Sequence, residues 1–177
     1  MTTLIDSATL SSGLLAGRLV LGLMMIGHGS QKLFGWFGGY GLTGTAGFFE
    51  SLGFRPGRGF VALAALTEMT SGLLVALGLL GPVGPALMLS VMIVAAVTVH
   101  WKNGIFATAN GIEVPLLYAA GAIALALTGP GLFSLDALLG VESLWTPEVK
   151  WVALAVGIIS GVANLGLRRV VPQSATA

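Results

Sequence analysis

Residues 60–101 read FVALAALTEMTSGLLVALGLLGPVGPALMLSVMIVAAVTVHW. Glu68 is the only Asp, Glu, Lys or Arg in this stretch, and Gly81-Pro82 divides it into two apolar runs, 60–80 and 83–101. Each run can cross a hydrocarbon core of about 30 Å, which takes roughly 17 to 25 helical residues. A Gly-Pro turn makes the two runs antiparallel neighbours. Residues 13–33, 112–128 and 151–167 have the same character, which predicts five spans. Pro115 falls in the first turn of the fourth, where its missing N–H is harmless, and Gly129, Pro130 and Gly131 stop that span. Thr146, Pro147 and Glu148 read as N-cap, N1 and N2 of the fifth.

Composition agrees. The 177 residues are 55% hydrophobic, with eight basic and seven acidic side chains, and the mean hydropathy is +0.95. A soluble domain of this length carries roughly 44 charged residues at ordinary usage of about 25%. Too few charges remain to cover a water-facing surface, which excludes a soluble fold. The expected fold class is an all-α integral membrane protein, a four-helix transmembrane bundle plus a fifth C-terminal transmembrane helix. A net charge of +1 leaves no basic field for nucleic acid. Cys is absent, which removes disulfides, thiolate metal sites and dithiol relays. No P-loop, nucleophile–base set or zinc spacing is present, so no metal site is expected. Gly35-Trp-Phe-Gly-Gly-Tyr-Gly41 lacks dinucleotide-binding spacing and reads as a mobile turn.

The organisation that follows is a tail at 1–12, a four-helix core at 13–140, a loop and fifth span at 141–171, and a cytoplasmic tail at 172–177. The first span lacks the basic n-region of a cleaved signal peptide, so it is expected to stay in the mature protein. With the N-terminus outside the cell membrane, Lys32, Arg55, Arg58, Lys102, Arg168 and Arg169 fall on the cytoplasmic side, opposite Arg18 and Lys150. Trp36 and Trp101 then mark the inner boundary, and Trp145 and Trp151 the outer. A short inner-face helix is expected at 43–53, where Ala46, Phe49 and Leu52 recur at helical spacing. In residues 134–140, Leu135, Leu138 and Leu139 give the pattern of a similar short element at the outer face, against which an anchored loop is the favoured reading. Gly13 and Gly17, and Ala153, Gly157 and Gly161, form small-xxx-small steps for close helix packing. The Gly157/Gly161 face offers a contact to the bundle, to a partner or to a second copy.

Four ionisable residues lie inside spans: Arg18, His28, Glu68 and His100. All other charges fall at helix ends or in loops. A charge near mid-bilayer costs several kcal/mol, so each of the four should face the bundle interior. Measured from the outer boundary, Arg18 lies at about 8 Å, Glu68 at about 18 Å, His28 at about 22 Å and His100 at about 25 Å, with Tyr118 at about 21 Å. His28, Glu68, His100 and Tyr118 thus form one inner-half layer drawn from four spans. Lys32 shares the stripe of His28 and Gln31.

Each residue has a plain reading and a functional one. Glu68 can be an ion pair with Arg18 or Lys32, or a carboxyl that exchanges protons with a ligand. Arg18 can snorkel to the outer boundary. The two His residues can end helices, hydrogen-bond a ligand or ligate a b-type haem, the last being the weakest. Tyr118 can be a packed aromatic or a ligand donor.

Arg18, the run Gly27-His28-Gly29-Ser-Gln31-Lys32-Leu33, Thr67-Glu68 with Gly72, His100, Glu113 with Pro115 and Tyr118, and Ser134-Leu-Asp136 together resemble the DoxX family over roughly residues 10–140. The chain is also similar to the membrane subunit of thiosulfate:quinone oxidoreductase. The resemblance implies a four-helix membrane bundle and, for some members, a place in membrane oxidoreductase complexes. The expected function is a redox-associated membrane subunit that binds a quinone within the bundle and acts with a partner oxidoreductase. Glu68 or His28 would exchange the proton, with His100, Tyr118, Lys32 and Arg18 as ligand-binding residues. The alternative is a non-enzymatic scaffold, assembly factor or small-molecule carrier.

Overall fold

In hydrocarbon every backbone N–H and C=O must find its partner within the protein, and a helix does this inside one segment. The computed structural model describes residues 6–169, and among these it contains helices and no strand. The long helices are α1 (Ser7–Phe34), α3 (Gly57–Leu77), α4 (Val83–Ala95) with its continuation to Asn103, and α7 (Pro147–Gly166), each long and apolar enough to cross a bilayer. The fourth span is the short one. α5 (Glu113–Thr128) has 16 residues, about 24 Å at a rise of 1.5 Å each. Two short helices complete the set, α2 (Gly41–Ser51) and α6 (Leu135–Leu139). The expected tail at 172–177 lies outside the described residues.

Capping sets the helix starts. Asp6 Oδ1 accepts from the Thr9 N–H at 2.8 Å, so α1 begins six residues before the expected span. Hydrogen bonds from Thr9 hold the exposed Asp6 carboxyl below its usual range. Thr146 caps α7 with Pro147 at N1, as the Thr-Pro-Glu run predicts. Glu50 Oε1 accepts from the Gly57 N–H at 3.0 Å, tying α2 to the start of α3.

Consecutive long helices run antiparallel. α1, α3, α4 and α5 form a ring, and α7 packs outside it on α4. The two ends of this bundle are named here by α1: the Arg18 end and the Lys32 end. A buried cluster of Met25, Val75, Met88, Met92, Tyr118, Ala122 and Leu125 fills the ring.

The backbones of α1 and α3 approach closely. A Cβ on Gly72 would lie 2.5 Å from the Gly22 carbonyl oxygen, and one on Gly29 would lie 2.7 Å from that of Ala65. The small residues that matter on α1 are therefore Gly22 and Gly29. Around Gly13 and Gly17 there is open space, so that step makes no helix contact. The second step does pack. Gly157 and Gly161 sit on Ala86 and Ser90 of α4 in the same chain, so this face is not free for a second copy.

Three local readings need correction. Residues 134–140 hold a helix, because Ser134 Oγ accepts from the Ala137 N–H at 3.2 Å and caps it. The Gly35–Gly41 turn is tied back to α1, with Gln31 Nε2 donating to the Phe37 carbonyl at 3.1 Å and Gly39 packed on Gln31. Trp36, Trp101 and Trp151 are exposed as boundary residues should be, but Trp145 turns inward and its indole lies over Gly81.

Gly72→Val tests the α1–α3 seam. It is expected to cost about 1–3 kcal/mol by overpacking against backbone, read as a lower thermal midpoint in detergent. Gly17→Ala, in open space, should stay within about 0.5 kcal/mol of wild type. Equal midpoints for the two variants would refute the close approach.

Candidate functional site

Glu68 lies in the middle of α3, where an apolar helix offers it no local partner. The α1–α3 approach supplies one. Lys32 Nζ stands 2.8 Å from both carboxylate oxygens of Glu68, the single ion pair among the described residues. Glu68 is 4% exposed. Lys32, at the last turn of α1, keeps about a quarter of its side chain accessible. Of the two partners considered for Glu68, the structure takes Lys32.

This pair stands on the wall of a cavity of about 410 Å³. The cavity lies beside the four-helix ring rather than inside it. α4 forms its floor, α3 and α7 flank it, and α2 covers the Lys32 end with Phe48, Phe49 and Leu52. Leu63, Val91, Val94 and Val99 make most of the lining apolar, while Thr67, Thr98, His100, Ser160 and Asn164 add polar groups.

α4 changes its winding where it meets the cavity. Residues Ala96–His100 form a π-helical turn, and Trp101–Asn103 a 3₁₀ turn. Single π turns inserted in α-helices occur frequently at functional sites. Here the altered winding sets Thr98, Val99 and His100 all on the lining, although successive α-helical residues point about 100° apart. His100 Nδ1 lies 2.9 Å from the Asn110 carbonyl oxygen. A carbonyl can only accept, so Nδ1 carries the proton and the neutral ring keeps Nε2 as an acceptor.

The expected layer is therefore divided. Lys32, Glu68 and His100 share the cavity wall. His28 and Tyr118 face each other edge-on, ring centroids 6.0 Å apart, and neither lines the cavity. Tyr118 belongs to the apolar cluster inside the ring. His28 stands one turn before Lys32 on α1.

Arg18 is remote from this cavity and does not snorkel. It is 2% exposed, and its Nη2 donates to the Phe133 carbonyl. Nη1 is packed against Gly78, at the C-terminal end of α3 where the helix dipole favours a cation. The counter-charge is Asp136, fully buried on α6 and near enough for coulombic coupling, though beyond ion-pair distance. Asp136 accepts from the Leu80 N–H at 2.9 Å, the Gly81 N–H at 2.6 Å and the Trp145 indole at 2.8 Å. Asp136 is thus a core residue, where the sequence places it in a loop.

The family model for DoxX matches residues 13–101, half of the chain. The chain belongs to the DoxX family. No curated protein and no solved structure matches it. The DoxX match includes Arg18, Lys32, Glu68 and His100, together with the α2, α3 and α4 walls of the cavity. It stops before Asp136, Ser160 and Asn164. A search of the spans confined to ionisable side chains passes over Asn164, although an amide in a transmembrane helix is itself a signal.

Asp136→Asn in this DoxX protein removes the charge facing Arg18 and sets an amide donor against the Gly81 and Trp145 donors. Leaving a buried donor of this kind unsatisfied costs about 1–3 kcal/mol, expected as a lower thermal midpoint. Trp145→Phe loses one hydrogen bond to an ionised group and should cost about 1–3 kcal/mol. An unchanged midpoint in Asp136→Asn would remove this residue from the fold's supports.

Proposed function

We propose that this DoxX protein is a redox-associated membrane subunit that binds a quinone in the Lys32–Glu68 cavity and acts with a partner oxidoreductase. The observation that carries this reading is the ion pair on the wall of an otherwise apolar cavity of about 410 Å³. That volume falls within the roughly 300–1,000 Å³ of small-molecule sites. A quinone presents two carbonyl oxygens and, on taking two electrons, two protons. Lys32 Nζ can donate a hydrogen bond to one oxygen and the Asn164 amide to the other; Glu68, ionised in the pair, can take each of the two protons from water at the Lys32 end and pass it on, and His100 Nε2 can accept from the hydroquinone hydroxyl. Tyr118 and Arg18 have no place in this scheme, since neither lines the cavity.

The electrons must come from outside. Cys is absent from the sequence, so a partner carrying flavin, haem or an inorganic centre would supply them. Arg55, Arg58, Lys102, Arg168 and Arg169 gather at the Lys32 end, which by the positive-inside rule supports a cytoplasmic position for that end and an N-terminus outside. The partner would then dock from the cytoplasm.

A second reading has its own observation. Lys32 touches both oxygens of Glu68, as a pair holding two helices together would, and the protein would then be a scaffold, assembly factor or carrier. Glu68→Gln separates the two. On the quinone reading, quinone-dependent turnover in membranes falls by about 10²-fold or more, and quinone recovered from lipid extracts of the purified protein falls with it. Unchanged occupancy and turnover, with a lowered thermal midpoint, would overturn the quinone reading in favour of the scaffold.

A further inference from the structure

Arg18 is the buried ion that the quinone scheme leaves unused. A guanidinium carries N–H donors on all three nitrogens and no acceptor. Arg18 is 2% exposed and gives Nη2 to the Phe133 carbonyl, while its buried Nε and Nη1 have no partner among the described residues. Asp136 stands beyond ion-pair distance, and its carboxylate is held by three other donors, the Leu80 and Gly81 N–H groups and the Trp145 indole. Buried donors are met in folded proteins by another protein group or by an ordered molecule.

A small void adjoins the guanidinium. Its volume is about 10 Å³, and Arg18 and Gly78 line it together with Val75, Pro85, Leu125 and Pro130. Nη1 lies where a side chain on Gly78 would stand, so of the two unmet nitrogens it is the one beside the void. A space of this size holds one water-sized molecule. Charge then decides its kind. A guanidinium alone would attract an anion, but Gly78 caps the C-terminal end of α3, and Leu125 and Pro130 flank the C-terminal end of α5. Two negative dipole ends therefore converge on the void, and with the buried Asp136 carboxylate they offset the single charge of Arg18. An added anion would meet repulsion, whereas a neutral molecule that accepts from N–H and donates to carbonyls would not.

We propose that this void is a binding site for one ordered water, which accepts a hydrogen bond from Arg18 Nη1 and donates to the carbonyl ends of α3 and α5. Three partners are what a buried water ordinarily has. The site is independent of the quinone reading. A cleft of about 250 Å³ at the Arg18 end shares Pro130 with the void and is walled by Trp145, whose indole covers Gly81 of the void. These shared walls give water its route in. Once bound, the water joins α1 to the ends of two other helices at a point where Arg18 makes no direct ion pair, and a bridging water serves nearly as well as a direct hydrogen bond.

The test is a crystal structure of the full chain at a resolution that shows ordered waters, determined without halide and again with bromide. One density peak within hydrogen-bond distance of Arg18 Nη1 is expected in both, with no anomalous bromide signal there. Bromide at that position would overturn the proposal in favour of an anion site. An empty void, or Nη1 turned onto Asp136 or a protein carbonyl, would overturn it as well. In lipid nanodiscs, nuclear magnetic resonance of the protein made with isotope-labelled arginine reads the same contact without a lattice. The Arg18 Nη signal, assigned by its loss in Arg18→Lys, is expected to show a nuclear Overhauser contact with water. A resolved Arg18 signal with no such contact would count against the site.

Discussion

An apolar slab tolerates no charge without a partner, and the architecture of this bundle follows from how its buried charges are met. Placing one Asp, Lys or Arg at the centre of a transmembrane helix costs about 2.5–3.5 kcal/mol on insertion scales. Arg18 and Glu68 both incur such a cost; the seam pairs Glu68 with Lys32, while Arg18 keeps one hydrogen bond and its buried Nε and Nη1 have no partner among the described residues. At one end of α1, Lys32 reaches Glu68 on α3. At the other, Arg18 lies against Gly78 at the end of α3 and turns to Phe133 and Asp136. Between them, Gly22 and Gly72 let the two backbones touch. A slip of α1 along α3 would break the charge contacts at both ends and drive a Cβ into backbone at the middle. The seam therefore fixes the register as well as the contact.

Depth along a span can be read from sequence, because a helix rises by a constant amount per residue. That is why Lys32 stands beside Arg18 as an expected partner of Glu68, and why His28 and Tyr118 meet. Which way a side chain faces is another matter. An apolar helix with no polar stripe gives no azimuth, so one layer by depth becomes a cavity wall holding His100 and a separate interior contact holding His28 and Tyr118. The same gap explains Arg18. Its depth permits snorkelling, and only the α6 segment folding back with Asp136 makes the inward turn preferable. Asp136 itself was hidden by the rule that loop charges need no explanation. The clue lay in the Ser134-Leu-Asp136 run, where a capping Ser begins the short helix that the spacing of Leu135, Leu138 and Leu139 also allows. Helix contacts were legible where small residues recur every four positions, at Gly157 and Gly161. They were missed where the spacing is seven and the partner is a lone glycine, as with Gly22, Gly29 and Gly72.

The fifth helix has the least family support and the largest effect on the site. Without α7, the face of α4 carrying Leu87, Ser90 and Val94 would look onto lipid, and the space beside Glu68 would be an open furrow instead of a cavity. Enclosure changes chemistry as well as shape. An ion pair in a furrow shares its field with lipid tails and stray water. Between α3, α4 and α7 it acts on whatever fills the space, and each interaction strengthens as the effective dielectric falls. The packing that creates this enclosure is the Gly157 and Gly161 contact on Ala86 and Ser90. The hydrogen bonds from Arg168 and Arg169 to the α2–α3 connection hold its lower edge. The matched core thus contributes the charges, while the added helix determines that they face an enclosed ligand space.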